Sequence, residues 1–246
     1  MQTLQYRTEG PIGYLTLHRP DKYNAVNNSM MEELEQFWRE RRFDSDTVVI
    51  VMDGGEAKGF CAGLDMNELG PALFAQNTVG MYNGQRRLSR LVLAMRQAPQ
   101  PIICAVHGAA AGLGFSFAMA SDIRVIAPDA RFCAAYLNIG LGGADMGCSY
   151  LLPRLIGSGR AHEFMLVGNW MSAEEAMQLG FASRLVPRER LLETARTIAE
   201  TMTTKNPLGI RMTKEAINIS IDAPGLEAAL EMEDRNQTML TIDKKI

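Results

Sequence analysis

Few residues of this chain could bind a metal ion or form a disulfide bond. The 246 residues include only three histidines, which are far apart in sequence at positions 18, 107 and 162. The four cysteines form no CxxC pair, and each lies among apolar or small residues. Metal sites and disulfide frameworks need clustered or regularly spaced ligands. The sequence therefore predicts no metal site and four reduced thiols in the core, as in a cytoplasmic protein.

Long apolar runs and an excess of positive charge are also missing. No segment reaches the roughly 18 uninterrupted apolar residues of a membrane span, and the N-terminus lacks the pattern of a secretion signal. The net charge is −3, and the arginine clusters lie in mixed-charge stretches with helical periodicity. Proteins that bind nucleic acids usually carry a basic patch or stripe. We therefore expect a cytoplasmic protein that binds neither membranes nor nucleic acids.

What the sequence does contain is an alternation of apolar strands and helical segments. A hairpin is predicted over residues 4–17. Three later runs, at 47–52, 102–106 and 122–127, are apolar and contain β-branched residues. Such runs are typical of strands that are buried on both faces. Because helical periodicity separates them, the order predicts an α/β fold with a parallel sheet covered by helices.

Local signals predict where the helices begin and end. Ser29 and Glu32 have the spacing of a capping box, which places a helix start at Ser29. Helical periodicity continues from Met66 to Arg96 but is interrupted at Gly70-Pro71 and at Gly80. Glycine and proline weaken helix interiors, so we expect two helices there rather than one.

The glycine-rich segment after the second run is compatible with more than one chemistry. Glycines at 108, 112 and 114 resemble, but do not match, a dinucleotide-binding fingerprint, and Asp129 follows a strand as that fold requires. The surroundings of Ser116 resemble the nucleophile elbow of a hydrolase, although the final glycine is missing. The residues alone leave both alternatives open.

Five segments, in a fixed order, are similar to the motifs of one family. They are RPDKYNA at 19–25, FCAGLDM at 60–66, AVHGAAAGLGFSFAMASD at 105–122, GLGGADMGCSYLLPRLIG at 140–157 and SAEEAMQLG at 172–180. Together they resemble the enoyl-CoA hydratase/isomerase (crotonase) family. The resemblance implies a spiral of ββα units, with a core over 1–188 and a C-terminal helical region over 189–246. That region forms homotrimers or hexamers in the family, and here we expect it to be shortened.

The resemblance also implies the chemistry of the site. Enzymes of this family hold the enolate of an acyl-CoA thioester with two backbone N–H groups, which the matched motifs place at Leu64 and Leu113. No permanently bound cofactor is expected, because coenzyme A enters as part of the substrate. The matched coenzyme A contacts are Lys22, Tyr23, Ala62, Asp65 and Met66. For Lys22 a solvated loop lysine is the alternative interpretation, and Ala62 and Met66 could be core residues.

One departure from the family pattern concerns water addition. Hydratases of the family hold the added water with two glutamates, and the matched positions here are Ser116 and Tyr136. An unperturbed hydroxyl group is a poor general base at neutral pH, so hydration by this pair is not expected. The matched positions also lack the histidine and tryptophan of the family's dehalogenases, because Ser89 and Tyr136 stand there instead.

Asp145 is the carboxylate that remains at a matched catalytic position. Isomerases of the family have an aspartate there if one extra residue is allowed in 140–144, although Asp145 could instead cap a helix starting near Met146. We expect Asp145 to act as a proton shuttle with a pKa raised by the surrounding apolar groups. Tyr136 would position the acyl group or donate a hydrogen bond, and the stretch from Asn67 to Arg90 would form the acyl pocket.

The resemblance therefore favours an enoyl- or dienoyl-CoA double-bond isomerase. A hydratase, or another lyase or hydrolase with an atypical site, is the first alternative. A catalytically silent protein that binds acyl-CoA is the second, because it would retain the same coenzyme A motifs.

Overall fold

The computed structural model describes residues 1–71 and 75–242 and contains two sheets. In chain order the strands are β1 (Leu4–Glu9), β2 (Ile12–Leu17), β3 (Val49–Asp53), β4 (Ile102–Val106), β5 (Ala109–Ala111), β6 (Ile123–Ile126), β7 (Arg131–Cys133), β8 (Met171–Ser172) and β9 (Arg184–Leu185). The larger sheet has the order β1-β2-β3-β4-β6-β9, and the smaller one has the order β5-β7-β8. From β2 to β9 every pairing in the larger sheet is parallel, which confirms the prediction.

Helices connect the strands and cover both faces of the larger sheet. They are α1 (Asn28–Arg41), α2 (Thr78–Gln97), α3 (Leu113–Ala120), α4 (Cys148–Ile156), α5 (Ser158–Val167), α6 (Ala173–Gln178), α7 (Leu191–Thr203), α8 (Pro207–Ser220) and α9 (Leu226–Ile242). The succession β4, β5, α3 shows the repeating unit, in which a long strand joins the larger sheet and a short strand joins the smaller one. The β7 to β5 pairing then places successive units side by side.

Two predicted helix boundaries were wrong. Helix α1 has Asn27 as its N-cap, because the Asn27 side chain accepts the N–H of Met30 at 3.0 Å, so Ser29 lies inside the helix. Gly80 lies inside the first turn of α2, where its N–H is bound by Asn77 at 2.9 Å. The predicted acyl-pocket stretch is therefore helical from Thr78 onward, and its residues 72–74 lie outside the described residues. Helix α6, by contrast, begins with a capping box between Ser172 and Glu175.

The hydrophobic core has two parts, one on each face of the larger sheet. The larger part lies beneath α1, α2 and α3, and all four cysteines are buried as free thiols. The smaller part contains Val49, Ile103 and Val125 of the sheet together with Leu191 and Ala195 of α7. Helix α7 therefore covers this face of the sheet, and the predicted boundary at residue 188 stays a prediction.

The last two helices are held differently from α7. Lys214 of α8 is buried, and its ammonium group lies 2.9 Å from Asp122 and 2.8 Å from the carbonyl oxygen of Gln100. Helix α9 packs against α8 but has no buried residue, and Leu226 and Ile242 are each 75% exposed. The role of this region in subunit contacts stays a prediction. None of the helices in the described part of the chain has the length and apolar character needed to cross a membrane.

Candidate active site

The site begins where two glycine-containing segments run side by side. The N–H of Cys61 donates to the carbonyl of Ala109 at 3.1 Å, and the N–H of Ala111 donates to the carbonyl of Cys61 at 3.0 Å. Beyond this bridge the backbones stay close, since a Cβ atom on Gly63 would lie 2.8 Å from the carbonyl oxygen of Ala111 and 3.4 Å from the nitrogen of Leu113. A glycine at 63 with a φ of +92° therefore permits the approach.

The first candidate donor is the N–H of Leu64. The carbonyl of Gly63, in the same peptide unit, accepts the N–H of Val26 at 2.7 Å. The N–H of Asp65 in turn donates to the carbonyl of Val26 at 2.9 Å. These bonds hold the orientation of the peptide unit between Gly63 and Leu64 from the side of its carbonyl group. Among the described residues, the N–H of Leu64 itself has no hydrogen-bond acceptor.

The second candidate donor is the N–H of Leu113, the first residue of α3. The first N–H groups of a helix have no partner within the helix, and the helix dipole makes this end electropositive. Gly112 caps the helix with a φ of +52°, and its carbonyl accepts the N–H of Ser116 and the hydroxyl of Tyr136, each at 3.0 Å. The N–H of Leu113 has no acceptor in the described part of the chain, so it is free to bind a ligand oxygen.

Asp145 lies in a loop before α4 and is only half-buried. Its Oδ1 atom accepts the N–H of Met146 at 2.7 Å and a hydrogen bond from the Gln85 side chain. Oδ2 has no hydrogen-bond partner among residues 1–71 and 75–242. Burial raises the pKa of this carboxyl group above its usual range, although the bonds from Met146 and Gln85 oppose the shift. Asp145 thus has a free oxygen and an elevated basicity, as a proton shuttle requires.

The alternative of Asp145 as a helix cap is wrong. Helix α4 begins at Cys148 and has Gly147 as its N-cap, without a side-chain capping bond. Met146 has a φ of +42°, an uncommon conformation for a residue with a side chain. The bond from its N–H to the Asp145 carboxylate stabilises that conformation.

One cavity of about 140 Å³ brings the predicted groups together. Its lining includes the predicted residues Ala62, Leu64, Met66, Leu113, Tyr136 and Asp145, as well as Gln85, which the sequence did not indicate. The volume is below the roughly 300–1,000 Å³ of complete small-molecule sites. It therefore suits the reacting end of a thioester rather than a whole acyl-CoA.

Three predicted residues lie elsewhere. Lys22 and Tyr23 are exposed, although the carbonyl of Tyr23 accepts the N–H of Ala62 at 3.0 Å and so joins the first motif to the cavity wall. Asp65 is 7% exposed, and its carboxylate pairs with Arg19 at 2.9 Å. The Asp65 side chain therefore holds two motif segments together, and it does not face the cavity.

The Tyr136 hydroxyl group donates a hydrogen bond within the protein. It is bound to Gly112 and lies 2.8 Å from the Ser116 hydroxyl, so it does not point to an acyl group. Because the partner of Ser116 is a phenol rather than an imidazole, a nucleophilic serine is not supported. Asp129 pairs with Arg188 at 3.7 Å and does not line the cavity, which also disfavours the dinucleotide alternative.

Leu64 and Leu113, whose N–H groups have no acceptor among the described residues, line one cavity with Asp145 in an α/β fold, and such N–H groups can stabilise negative charge on a ligand oxygen. The chain belongs to the enoyl-CoA hydratase/isomerase family, whose sequence model matches residues 7–246. The resemblance of the five motifs is thereby confirmed.

Individual relatives carry both activities of the family in their names. The chain is 36% identical over 234 residues to the probable enoyl-CoA hydratase echA12 of Mycobacterium leprae, covering 94% of this chain and 79% of that protein. It is 35% identical over 238 residues to the 1,2-epoxyphenylacetyl-CoA isomerase of Escherichia coli K12, covering 95% and 88%. The crystal structure of an enoyl-CoA hydratase from Bacillus anthracis superposes with a TM-score of 0.92 at 29% identity, covering 99% and 92%. The structural match confirms the crotonase-like fold.

Proposed function

We propose that the protein is an enoyl-CoA double-bond isomerase in which Asp145 moves the proton. Oδ2 of Asp145 removes a proton from C2 of a 3-enoyl thioester, and the electron pair passes into a dienolate. The N–H groups of Leu64 and Leu113 bind the resulting oxyanion. The carboxyl group then returns the proton to C4, so the double bond moves from C3=C4 to C2=C3 and no water is consumed.

The observation that carries this proposal is that Asp145, whose Oδ2 atom has no hydrogen-bond partner among the described residues, lines one cavity with Leu64 and Leu113. Hydration would need groups that hold and activate water. The hydroxyls of Ser116 and Tyr136 bind each other instead, and burial raises the pKa of the Tyr136 phenol further. Beside relatives that are named as enoyl-CoA hydratases, one at 35% identity is named as a 1,2-epoxyphenylacetyl-CoA isomerase, so isomerisation of an acyl-CoA is a reaction that names in the family include.

We also propose a path for coenzyme A along the first two motifs. Ala62 and Met66 line the cavity. Lys22 and Tyr23 are exposed, and the carbonyl of Tyr23 accepts the N–H of Ala62, which places both residues next to the cavity wall. A thioester with its carbonyl between the two amides would leave the cavity past these residues. Lys22 is then free to meet a phosphate, since its side chain is exposed.

The test is an assay of the purified protein with trans-3-enoyl-CoA and 3,5-dienoyl-CoA thioesters. We expect the double bond to move, as followed by the ultraviolet absorbance of the conjugated product. In water enriched in ¹⁸O the product should contain no label. Incorporated ¹⁸O would indicate hydration or hydrolysis, and the absence of any reaction with coenzyme A binding retained would indicate a binding protein.

Gln85 should tune the pH dependence of the reaction. Its hydrogen bond lowers the pKa of Asp145, against the larger effect of burial. Gln85→Met removes the amide at similar length, so the Asp145 pKa rises further. We expect the acid limb of kcat to move to higher pH, because the carboxyl group must be ionised to accept a proton. Gln97→Met, an exposed position on the same helix, should leave the profile unchanged. An unmoved limb in Gln85→Met would contradict this role.

A further inference from the structure

We propose that Ser116 and Tyr136 form a hydrogen-bonded relay that orients and polarises the peptide group carrying the Leu113 N–H. This role rests on the oxyanion-binding part of the proposed function, but it does not require Asp145 to be the base. It also gives a purpose to the two buried hydroxyl groups at the positions where the motifs of a hydratase have glutamates.

The direction of the relay follows from counting protons. The Tyr136 hydroxyl lies 3.0 Å from the carbonyl oxygen of Gly112, which can only accept, so the single phenolic proton is donated there. The Ser116 hydroxyl lies 2.8 Å from the Tyr136 oxygen. Since Tyr136 has no second proton, Ser116 must be the donor of that bond. The relay of hydrogen bonds therefore runs from Ser116 through Tyr136 to Gly112.

Its last bond acts on the oxyanion donor because of peptide geometry. The carbonyl of Gly112 and the N–H of Leu113 belong to one planar trans peptide unit and point in opposite directions. A hydrogen bond accepted by the carbonyl draws electron density toward oxygen and makes the N–H a stronger donor. Together with the bond from the Ser116 N–H, it holds the orientation of the unit that follows Gly112, a glycine with a φ of +52°.

The surroundings keep this relay intact. Ser116 is 0% and Tyr136 is 3% exposed, so bulk water does not compete for their bonds. Burial raises the pKa of the Tyr136 phenol, while the bond from Ser116 opposes the shift, and the phenol stays protonated at neutral pH. At both donors a main-chain N–H binds the carbonyl of the same peptide unit, Val26 at Gly63 and Ser116 at Gly112. Tyr136 adds a side-chain bond at Gly112, and a substitution can remove it.

A direct test measures the polarisation of a bound thioester carbonyl. The probe is butyryl-CoA labelled with ¹³C at the thioester carbonyl, which has no double bond to move. Isotope-edited infrared spectra should show a lower carbonyl stretching frequency on the wild-type protein than in water. We expect Tyr136→Phe to lose most of that shift and Ser116→Ala to lose less, because it retains the bond from Tyr136 to Gly112. Tyr14→Phe is the matched control, since Tyr14 is buried on the opposite face of the sheet.

Kinetics separate this positioning role from other roles of Tyr136. Deleting an oxyanion donor costs about 10²–10³ in kcat; here the donor is weakened and not removed, so we expect Tyr136→Phe to lower kcat by about tenfold. KM and the acid limb set by Asp145 should not move. A raised KM with unchanged kcat would overturn the relay in favour of direct acyl positioning, as would an unchanged carbonyl frequency in Tyr136→Phe.

The outcomes also distinguish the relay from the reaction. A carbonyl shift that depends on Tyr136 in a protein without isomerase activity would support the relay and contradict the proposed reaction. Isomerase activity with a carbonyl shift that is the same in all variants would support the proposed reaction and contradict the relay. Should Tyr136→Phe not fold, Ser116→Ala decides, because a frequency equal to that of the wild type would overturn the relay.

Discussion

Asp145→Asn is expected to lower kcat by roughly 10³-fold or more, because one positioned acid–base group contributes about 10²–10⁴ and this group performs both proton transfers. The amide of asparagine cannot accept the proton from carbon. Its oxygen can still accept the bonds from Met146 and Gln85, so the loop should keep its conformation. Turnover of a 3-enoyl-CoA thioester measures the effect.

Stability should respond in the opposite direction to activity. The pKa of Asp145 is raised in the folded protein, so the ionised carboxylate costs folding free energy at neutral pH. As the pH falls toward the raised pKa this cost disappears, because the folded state binds the proton more tightly than the unfolded chain. A neutral asparagine avoids the cost at every pH. We therefore expect a Tm equal to or above that of the wild type.

The pH profile identifies the group that is lost. Wild-type kcat should fall as the pH drops through the raised pKa of Asp145, and the residual activity of Asp145→Asn should lack that limb. Asp129→Asn, which removes a carboxylate outside the cavity, should behave like the wild type. A folded Asp145→Asn protein with full activity would eliminate Asp145 as the base.

Much of the fold could be predicted because its signals are local. The apolar runs that became β3, β4 and β6 carry their own β-propensity, and the segments between them have helical periodicity. The strands β5, β7 and β8 have two or three residues each, too few to show an alternation. They exist because the chain pairs with distant backbone, such as β7 with β5.

The start of α1 shows how tertiary contacts override a local motif. Asn27 and Ser29 are both favourable N-cap residues, and the spacing of Ser29 to Glu32 favoured the second. In the structure, Val26 pairs with the backbone of Gly63 and Asp65, which keeps the chain extended through Val26. The helix can begin directly after this pairing, so Asn27 becomes the cap.

In the candidate site, too, some residues could be predicted from local motifs, while others are placed by tertiary contacts. Leu64, Leu113 and Asp145, which the motifs single out, line one cavity, because motif spacing preserves backbone position. Gln85 carries no such signal. It lies 60 residues from Asp145 in sequence and reaches it only because α2 packs beside the loop before α4. The orientation of the Tyr136 hydroxyl likewise depends on Gly112, which is 24 residues away.

Gly63→Ala should disrupt the pair of oxyanion donors without touching Asp145. The new Cβ atom would lie 2.8 Å from the carbonyl oxygen of Ala111, and the φ of +92° is unfavourable for alanine. The two segments must therefore move apart. Because a displacement of about 1 Å can cost on the order of 10²-fold in rate, we expect kcat to fall by about that factor.

The same substitution should cost about 1–3 kcal/mol in the free energy of unfolding, which is the usual range for a strained backbone conformation. Urea denaturation measures this cost, and the acid limb of the pH profile should stay in place because Asp145 keeps its surroundings. Gly159→Ala is the matched control: its Cβ would meet nothing within 4 Å, in a helix where alanine is favoured, so activity should persist and stability rise slightly. A folded Gly63→Ala protein with wild-type kcat would show that the Leu64 and Leu113 amides do not bind the oxyanion.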